Sequence, residues 1–298
     1  PKHPTADNMT TMLQGSQVGP TPTFFFDYSV KDLRRDITCC PFQWTKGVQT
    51  LQSFKSWSFG KLRYEWTNRM IPTGNDDGIN RQYMRYADIV LMRAELENEL
   101  NGASAAVPYL TKIRNRAFAT SDRATEVTAY VAEAALSKEK MFQAIVDERA
   151  YEFAGELIRK ADLIRWGMLK SKMDETKNKM KAIVSLTDYD SKHPYSQLSG
   201  HAYYKMSAYT WTRNGIETTE KDAKLNLYGL NYGEMDINPE GYTEFSDSKG
   251  EASTWIKDNA LEDVIDYLYV RDPDKYQYWP IFNVNLNDNP NLSNYEWY

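Results

Sequence analysis

Regular hydrophobic periodicity in this 298-residue chain is confined to one segment, residues 81–183. Apolar side chains recur there at the three- and four-residue intervals of amphipathic helices. The flanking segments, 1–80 and 184–298, carry turn-forming residues and many aromatic rings without a sustained period. We therefore predict a mainly α-helical protein. In it, residues 81–183 form a helical core, 1–80 form a loop-rich layer, and 184–298 form an irregular tail that packs on the helices.

Four helices are expected in the periodic segment. The first ends at Gly102, because glycine readily takes the left-handed conformation that stops a helix. The second follows at once, with Pro108 expected in its first turn because proline disrupts helix interiors. Ser137 is the predicted N-cap of a long third helix that reaches about Gly167, and a fourth helix follows that glycine. The pattern predicts antiparallel helix pairs joined by tight turns.

The secondary structure of two other segments is less clear from the sequence. Residues 119–136 are rich in Ala and Thr and fit either helix or loop. In the Tyr-, Asn- and Asp-rich tail, one further short helix is expected at 252–256 or at 261–268. The rest of the tail is predicted to be irregular.

Charge and hydropathy exclude several partners. Lys and Arg number 36 against 41 Asp and Glu, a net charge of −5, and no dense basic block is available to neutralise phosphates. Nucleic acid is therefore not an expected partner. No stretch approaches the ~20 apolar residues of a membrane-spanning helix. We expect any export signal or lipid anchor to lie upstream of this chain.

No motif in the sequence predicts a catalytic residue, a metal ion or a cofactor. His3, His193 and His201 are too few and too scattered for a zinc site, and no glycine-rich phosphate loop occurs. The GNDDG segment at 74–78 offers oxygen ligands for calcium, but a plain turn explains it better. The adjacent Cys39 and Cys40 are expected to be reduced neighbours, since a disulfide between them would be strained.

A string of charged residues lies within the third predicted helix. Its members lie three and four positions apart, which favours ion pairs along one face: Glu148, Arg149, Glu152, Glu156, Arg159, Asp162 and Arg165. Glu148 and Glu152 could also form the carboxylate pair of a glycosidase. That chemistry needs one acid with a raised pKa, whereas arginine neighbours lower it. The string is therefore better explained as a tie between helices and tail.

Four motifs, in this order, resemble those of the SusD/RagB family. RYADIVLMRAE at 85–95 is similar to the family's R-x-A-D-V-x-L-x-x-A-E, and IRNRA at 113–117 resembles its N-x-V-R-x-R-A partner. Residues 144–167 match the more specific I-x-x-E-R-x-x-E-F-x-x-E-G-x-R-W-x-D-L-x-R-W-G over some twenty positions. YWPI at 278–281 and NPNL at 289–292 resemble the closing segment of the family.

The match departs from the family pattern at several places. Leu157 stands at a usual glycine, Lys160 at a usual tryptophan, and Phe282 at a usual proline. Trp166 and Trp279 belong to the structural motifs and are expected to be buried. Most family members are about twice as long, so this chain resembles the carboxy-terminal half. An amino-terminal segment is therefore expected to belong with this chain. Two helix pairs leave apolar positions such as Met84, Met92 and Tyr151 open, and upstream helices, a partner chain or the tail from Tyr267 to Tyr298 would have to cover them.

The resemblance implies both a fold and a function. The fold would be tetratricopeptide-like helix pairs in an α-α superhelix, supporting a large loop-rich layer. The function would be non-catalytic capture of an oligosaccharide at the bacterial outer-membrane surface by a lipid-anchored protein. Delivery would be to a TonB-dependent transporter of the SusC type. Two alternatives stay open: a glycoside hydrolase, and a helical-repeat scaffold that binds other proteins.

Loop aromatics are the expected ligand contacts. Aromatic residues make up 13% of the chain, with 21 Tyr and 8 Trp, and many lie outside the periodic segment. A pyranose packs its C–H face on an exposed ring while polar groups at the rim bind its hydroxyls. The predicted ligand residues are Trp44 with its neighbour Gln43, then Trp57, Tyr28 and Trp211. Core packing is the competing role for each ring, and exposure of Trp44 and Trp57 on one face would decide between them.

Overall fold

The computed structural model describes residues 18–45, 48–63, 82–205, 210–212, 215–217, 227–245, 256 and 261–294. Helices dominate these ranges, as predicted. They are α1 (Pro22–Asp27), α2 (Arg35–Thr38), α3 (Tyr86–Asn101), α4 (Ala103–Ala117), α5 (Tyr130–Ala134), α6 (Lys138–Phe153), α7 (Arg159–Arg165), α8 (Leu169–Val184), α9 (Leu261–Tyr267) and α10 (Asn283–Asp288). Among the described helices, none is both long enough and apolar enough to span a membrane.

Helices α3 and α4 form the first antiparallel pair. Gly102 joins them with a φ of 86°, which confirms the predicted left-handed stop. The pair buries one side of α3 and the facing side of α4, including Leu91, Ala94 and Leu110. Pro108 lies inside α4 and not in its first turn, so that prediction was wrong. Its ring is exposed on the outer side of the helix, where the carbonyl group that loses its partner can be hydrated.

The second pair is α5 and α6. The ambiguous segment before it forms a 3-10 turn (Thr120–Asp122), a π-type turn (Ala124–Ala129) and then α5. Ser137 caps α6 as predicted, and its Oγ accepts a hydrogen bond of 3.1 Å from the Lys140 amide. The single long helix expected up to Gly167 was wrong. Gly155 and Leu157 take positive φ values of 79° and 65°, which end α6 and separate it from α7.

Short strands occur before α3 and after α8 in the described part of the chain. They are β1 (Cys39–Cys40), β2 (Phe42–Thr45), β3 (Val48–Leu51), β4 (Ser58–Phe59), β5 (Tyr203–Tyr204), β6 (Thr210–Thr212), β7 (Gly215–Glu217), β8 (Leu227–Tyr228) and β9 (Thr243–Glu244). All pairings are antiparallel: β1 with β4, β2 with β3, β6 with β7, and β5 between β8 and β9. The short helices α1 and α2 were not expected in the loop-rich segment. In the tail, α9 confirms the second of the two predicted positions.

Two hydrophobic cores organise the described residues. One lies between the helix pairs α3–α4 and α5–α6 and contains Leu91, Ile113, Ile145 and Phe153. The other is aromatic and gathers α1, α8 and the strand layer around Phe25, Trp57 and Tyr195. The protein is thus mainly α-helical, with tetratricopeptide-like helix pairs carrying an irregular layer. The division of the chain into three segments stays a prediction.

Candidate functional site

Three of the predicted ligand rings are buried. The exposed fraction is 0% for Trp44 and 4% for both Trp57 and Tyr28. Trp44 packs edge-to-face on Phe42, and Trp57 packs in the same way on Phe25, with centroids 5.7 and 5.5 Å apart. The expected exposure of these rings was therefore wrong. These rings were expected in exposed loops because the sequence around them lacks a regular period. In the structure, short strands and α1 direct the rings into the core.

Tyr28 ties the aromatic layer to α6. Its hydroxyl donates a 2.8 Å hydrogen bond to the carbonyl of Tyr151, whose own hydroxyl donates to the carbonyl of Asp27. The two rings lie 4.9 Å apart. Tyr151 is therefore half-buried and not open to water as expected. These mutual contacts give Tyr28 a structural role in the described fold.

The other two predicted residues have different surroundings. Gln43 lies opposite Thr50 in the β2–β3 hairpin and is half-buried. Trp211 lies in β6 opposite Ile216, but its side chain falls outside the part of the chain that the structure describes. The 74–78 turn also lies outside that part. A ligand role for Gln43 and Trp211 stays a prediction.

An open cleft lies between α3 and α4. Its volume is about 650 Å³, within the ~300–1,000 Å³ typical of ligand pockets. The lining residues come from the segment just before α3, from the first two residues of α3 and from the second half of α4: Gln82, Met84, Arg85, Tyr86, Ala87, Lys112, Ile113 and Arg116. This cleft, the α3–α4 cleft, combines apolar, aromatic and cationic groups.

Tyr86 presents an exposed ring in the α3–α4 cleft. It is the first residue of α3 and is 68% exposed. Lys112 reaches it from α4: the Nζ atom donates a 3.0 Å hydrogen bond to the Tyr86 hydroxyl and lies 4.8 Å from the ring centroid. Met84 is 60% exposed on the same side. The cleft therefore offers a ring with polar groups beside it, which the buried tryptophans do not.

Ion pairs to α6 fix the cationic wall of the α3–α4 cleft. Arg85 donates to Glu152 at 2.8 Å and to Glu156 at 2.7 Å, and its guanidinium lies 4.9 Å from the centroid of the Phe153 ring. Arg116 also pairs with Glu152, although its side chain is 58% exposed. Because these arginines are held by buried carboxylates, they are preorganised when a ligand arrives.

Glu148 and Glu152, the alternative glycosidase pair, are both saturated by arginine. Arg34 bridges them with contacts of 2.7 and 3.0 Å, and Arg114 binds the second oxygen of Glu148 at 2.8 Å. Burial alone would raise the pKa of Glu152, but hydrogen bonds from Arg116 and Arg85 outweigh it and lower that pKa below its usual range. The arrangement holds Glu152 as an anion and not as a proton donor.

The charged string links elements and does not run along one helix face. Arg149 binds Asp88 of α3 and Asp162 of α7, both at 2.7 Å. Arg165 and the Trp166 indole both donate to Glu95. The Arg165–Asp162 pair is a local one, three residues apart. The predicted tie between helices is confirmed, but the geometry along one face was mostly wrong. The predicted tie to the tail was also wrong within the described residues, where the string pairs with helices and with Arg34 and Lys61.

Trp166 and Trp279 were both expected to be buried. Trp166 is half-buried against Phe142. Trp279 is 81% exposed, so its expected burial was wrong. The described tail touches α8 through Tyr269, which binds Asp174, and through Asp274, which accepts from the Lys170 amide. The segment after these contacts leaves the Trp279 ring in solvent.

The cleft was not predicted from the sequence. Tyr86 lies within the first helical motif and Lys112 immediately precedes the second, and exposed and buried positions alternate too closely there to mark a site. One signal was available, since Tyr86 falls outside the buried stripe of its own helix. The exposed face of α3 becomes distinct from its buried face only once the helix is packed against α4.

Comparison with known proteins decides the family. The model of the SusD family matches residues 50–298, most of the chain. The chain belongs to the SusD family. Over 90 residues it is 48% identical to the SusD-like protein P25 of Formosa agariphila, a match covering 30% of this chain and 16% of that protein.

A solved structure supports the fold. The SusD homolog from Bacteroides thetaiotaomicron VPI-5482 aligns with a TM-score of 0.50 and 21% identity. The alignment covers 64% of this chain and 41% of that one. This SusD-family chain therefore spans less than half the length of either relative.

Proposed function

We propose that this SusD-family chain binds an oligosaccharide at the bacterial outer-membrane surface without cleaving it. Delivery to a TonB-dependent transporter of the SusC type, and a lipid anchor outside this chain, belong to the same proposal. Family membership supports the class of function. The observation that carries the site is the exposed Tyr86 ring beside Gln82, Lys112 and Arg116 in the α3–α4 cleft.

This arrangement meets the physical needs of a saccharide site. The ring supplies a flat apolar surface for the C–H face of a pyranose, and the surrounding amide and cationic groups supply hydrogen bonds for its hydroxyls. A millimolar ligand has only about −4 kcal/mol of binding free energy. One stacked ring worth roughly 0.5–1.5 kcal/mol is then a large share of the total.

Binding without turnover is supported by the state of the acids. Hydrolysis of a glycosidic bond needs an acid that holds a proton near neutral pH. Glu152 is held ionised by Arg116 and Arg85, and Glu148 is enclosed by Arg34 and Arg114. Both carboxylates therefore act in the structure as anchors for arginines.

The outer face of α3 supports a second role in protein contact. Beyond Tyr86, three apolar residues lie along it at intervals of seven and four: Ile89, Leu96 and Leu100, each between 48% and 75% exposed. This spacing is typical of a helix that packs on another helix. A repeat array that ended here would present a polar cap. The stripe therefore favours contact with a further helical element, in this or another chain.

Titration calorimetry and affinity gels with a panel of neutral and acidic oligosaccharides test the binding proposal. We expect Tyr86→Ala to weaken binding about three- to tenfold, because it removes the stacking surface. Tyr267→Ala is the matched control, since that ring is 77% exposed on α9. Trp211→Ala and Gln43→Ala test the remaining predicted contacts.

Three results would contradict the proposal. Absence of binding across the panel would remove the function, and equal binding by Tyr86→Ala would remove the cleft as its site. Shorter sugars appearing after prolonged incubation would show turnover. The last result would restore the hydrolase alternative and direct attention to a carboxylate other than Glu148 and Glu152.

A further inference from the structure

The α3–α4 cleft concentrates positive charge in a chain that is acidic overall. The net charge of the sequence is −5. The described lining of the cleft nevertheless includes Arg85, Lys112 and Arg116 and contains no carboxylate. A cleft lined by one sign of charge raises the local concentration of ligands of the opposite sign.

The ion-pair network behind the cleft does not cancel this charge. Within the described ranges, five cations share four carboxylates. The cations are Arg34, Lys61, Arg85, Arg114 and Arg116, and the carboxylates are Asp32, Glu148, Glu152 and Glu156. Lys112 adds a sixth cation, and no described carboxylate lies within 4.0 Å of its Nζ atom. The excess is positive, and the exposed members of the set face the cleft.

The free donors lie beside the Tyr86 ring. The Lys112 ammonium gives one of its three N–H groups to the Tyr86 hydroxyl at 3.0 Å. Arg116 has five N–H groups, binds Glu152 through one nitrogen, and keeps 58% of its side chain exposed. A sugar stacked on Tyr86 would place a substituent on its rim within reach of both side chains. Charge-assisted hydrogen bonds to such a substituent are about twice as strong as neutral ones.

We infer that the preferred saccharide is anionic, carrying a uronate carboxylate or a sulfate ester that Lys112 and Arg116 bind. This inference rests on the proposed function and adds the chemical class of its ligand. A carboxylate and a sulfate both present oxygens in the paired geometry that a guanidinium recognises, and an ammonium meets either as a point charge.

Matched pairs of oligosaccharides test the inference by titration calorimetry. Tetragalacturonate is compared with its fully methyl-esterified form, and a carrageenan tetrasaccharide with its desulfated form. We expect the charged member of at least one pair to bind about tenfold more tightly, with the preference falling at high salt. Whichever pair shows it separates carboxylate from sulfate recognition.

Variants then locate the charge recognition. Lys112→Gln and Arg116→Gln, singly and together, should lower affinity for the charged member and leave the uncharged member nearly unchanged. Glu152 keeps Arg34 and Arg85 in these variants, so the fold is expected to hold, and thermal unfolding checks this. Lys181→Gln, which removes an exposed lysine from α8, is the matched control.

The possible results distinguish the preference for anionic saccharides from the saccharide-binding function on which it rests. Equal binding of the charged and uncharged members, with loss in Tyr86→Ala, would overturn the charge preference and leave the saccharide function standing. A charge preference that survives the Lys112 and Arg116 double variant would place it elsewhere and overturn the assignment. Absence of binding to every saccharide would overturn both.

Discussion

Two regions of the molecule bury different kinds of side chain. One comprises the helix pairs α3–α4 and α5–α6, and the other is the aromatic core around α1 and α8, called the aromatic layer. Between the helix pairs, buried carboxylates such as Glu148 and Glu152 are enclosed by arginines from other elements. In the aromatic layer, Phe25, Trp57 and Tyr195 pack mainly on other apolar and aromatic side chains, although the Arg35 guanidinium lies 4.4 Å from the centroid of the Phe25 ring. Paired charges demand particular partners at particular distances, whereas rings tolerate several packings. The charged contacts therefore specify how the elements are arranged, whereas the rings contribute apolar burial with less geometric demand.

Arg34 joins the two regions. It follows α1 in the loop-rich layer, yet its guanidinium binds Asp32, Glu148 and Glu152. Lys61 makes a similar link to Glu156 and to the carbonyl of Glu152. Because Glu148 and Glu152 lie on α6 and Glu156 lies just after it, these cations of the layer fix it on the helices by ion pairs as well as by ring packing.

The largest expected effect tests the aromatic side of the comparison. Trp44→Ala should lower the free energy of unfolding by about 3–5 kcal/mol, because it empties a fully buried site. Trp166→Ala should cost less, since that ring is half-buried and one indole hydrogen bond to Glu95 is lost. Urea unfolding followed by circular dichroism measures both. If Trp44→Ala lowered the free energy of unfolding no more than Trp166→Ala does, the Trp44 ring would not be part of a packed core.

The sequence anticipated the helical side better than the aromatic side. Gly102 and Ser137 were found because their roles depend on local backbone chemistry, a left-handed turn and an N-cap. The break at Gly155 was missed because Leu157, a residue that disfavours positive φ, shares it. The ligand rings were misplaced for a different reason. Burial of Trp44 is set by long-range packing, which no local pattern encodes.

The ion pairs behind the α3–α4 cleft were also hard to predict, because they join residues that are far apart in sequence. Glu152 was recognised as one of a charged string, but its partners Arg34, Arg85 and Arg116 lie far away in sequence. Local spacing predicted pairs along α6, and the folded topology supplied others. The Tyr86–Lys112 contact arises in the same way, because two helices of one pair bring together positions 26 residues apart.

A smaller effect tests the charged contacts between the helix pairs. Two acids on α6, Glu152 and Asp147, have pKa values that folding shifts in opposite directions. The pKa of Glu152 lies below its unfolded value of about 4.3. The folded state then binds fewer protons, so its stabilisation is full above that pH and is lost as pH falls through the folded pKa. Burial raises the pKa of Asp147, despite nearby Lys172 and a hydrogen bond from Gln143. Its contribution is therefore unfavourable at neutral pH and disappears in acid.

Neutral variants separate these two contributions. Glu152→Gln should flatten the loss of stability between about pH 5 and pH 3, whereas Asp147→Asn should raise stability at pH 7 and change little in acid. Urea midpoints measured across that pH range provide the test. The same sign of change for both variants at pH 7 would show that the arginines do not distinguish the two carboxylates.

The smallest expected effect lies at the joint between the two regions. Gly155, just after the end of α6, packs against Phe59 of the layer. A Cβ added at this glycine would lie 3.0 Å from the Phe59 ring. Two residues later Leu157 holds a φ of 65°, which costs roughly 1 kcal/mol for a side-chain-bearing residue. Its side chain is 82% exposed and contributes little packing. Leu157→Gly should relieve this strain, although the more flexible unfolded chain offsets part of the gain by about 0.5–1 kcal/mol.

The net change expected for Leu157→Gly is therefore between zero and about 0.5 kcal/mol of added stability. Leu157→Ala, which removes the side chain but keeps the strained φ, is the control and should be neutral or slightly destabilising. If Leu157→Gly instead lost more than about 1 kcal/mol, the leucine side chain would have to be packing against something. The joint would then be held by apolar contact in addition to the ion pairs of Arg34 and Lys61.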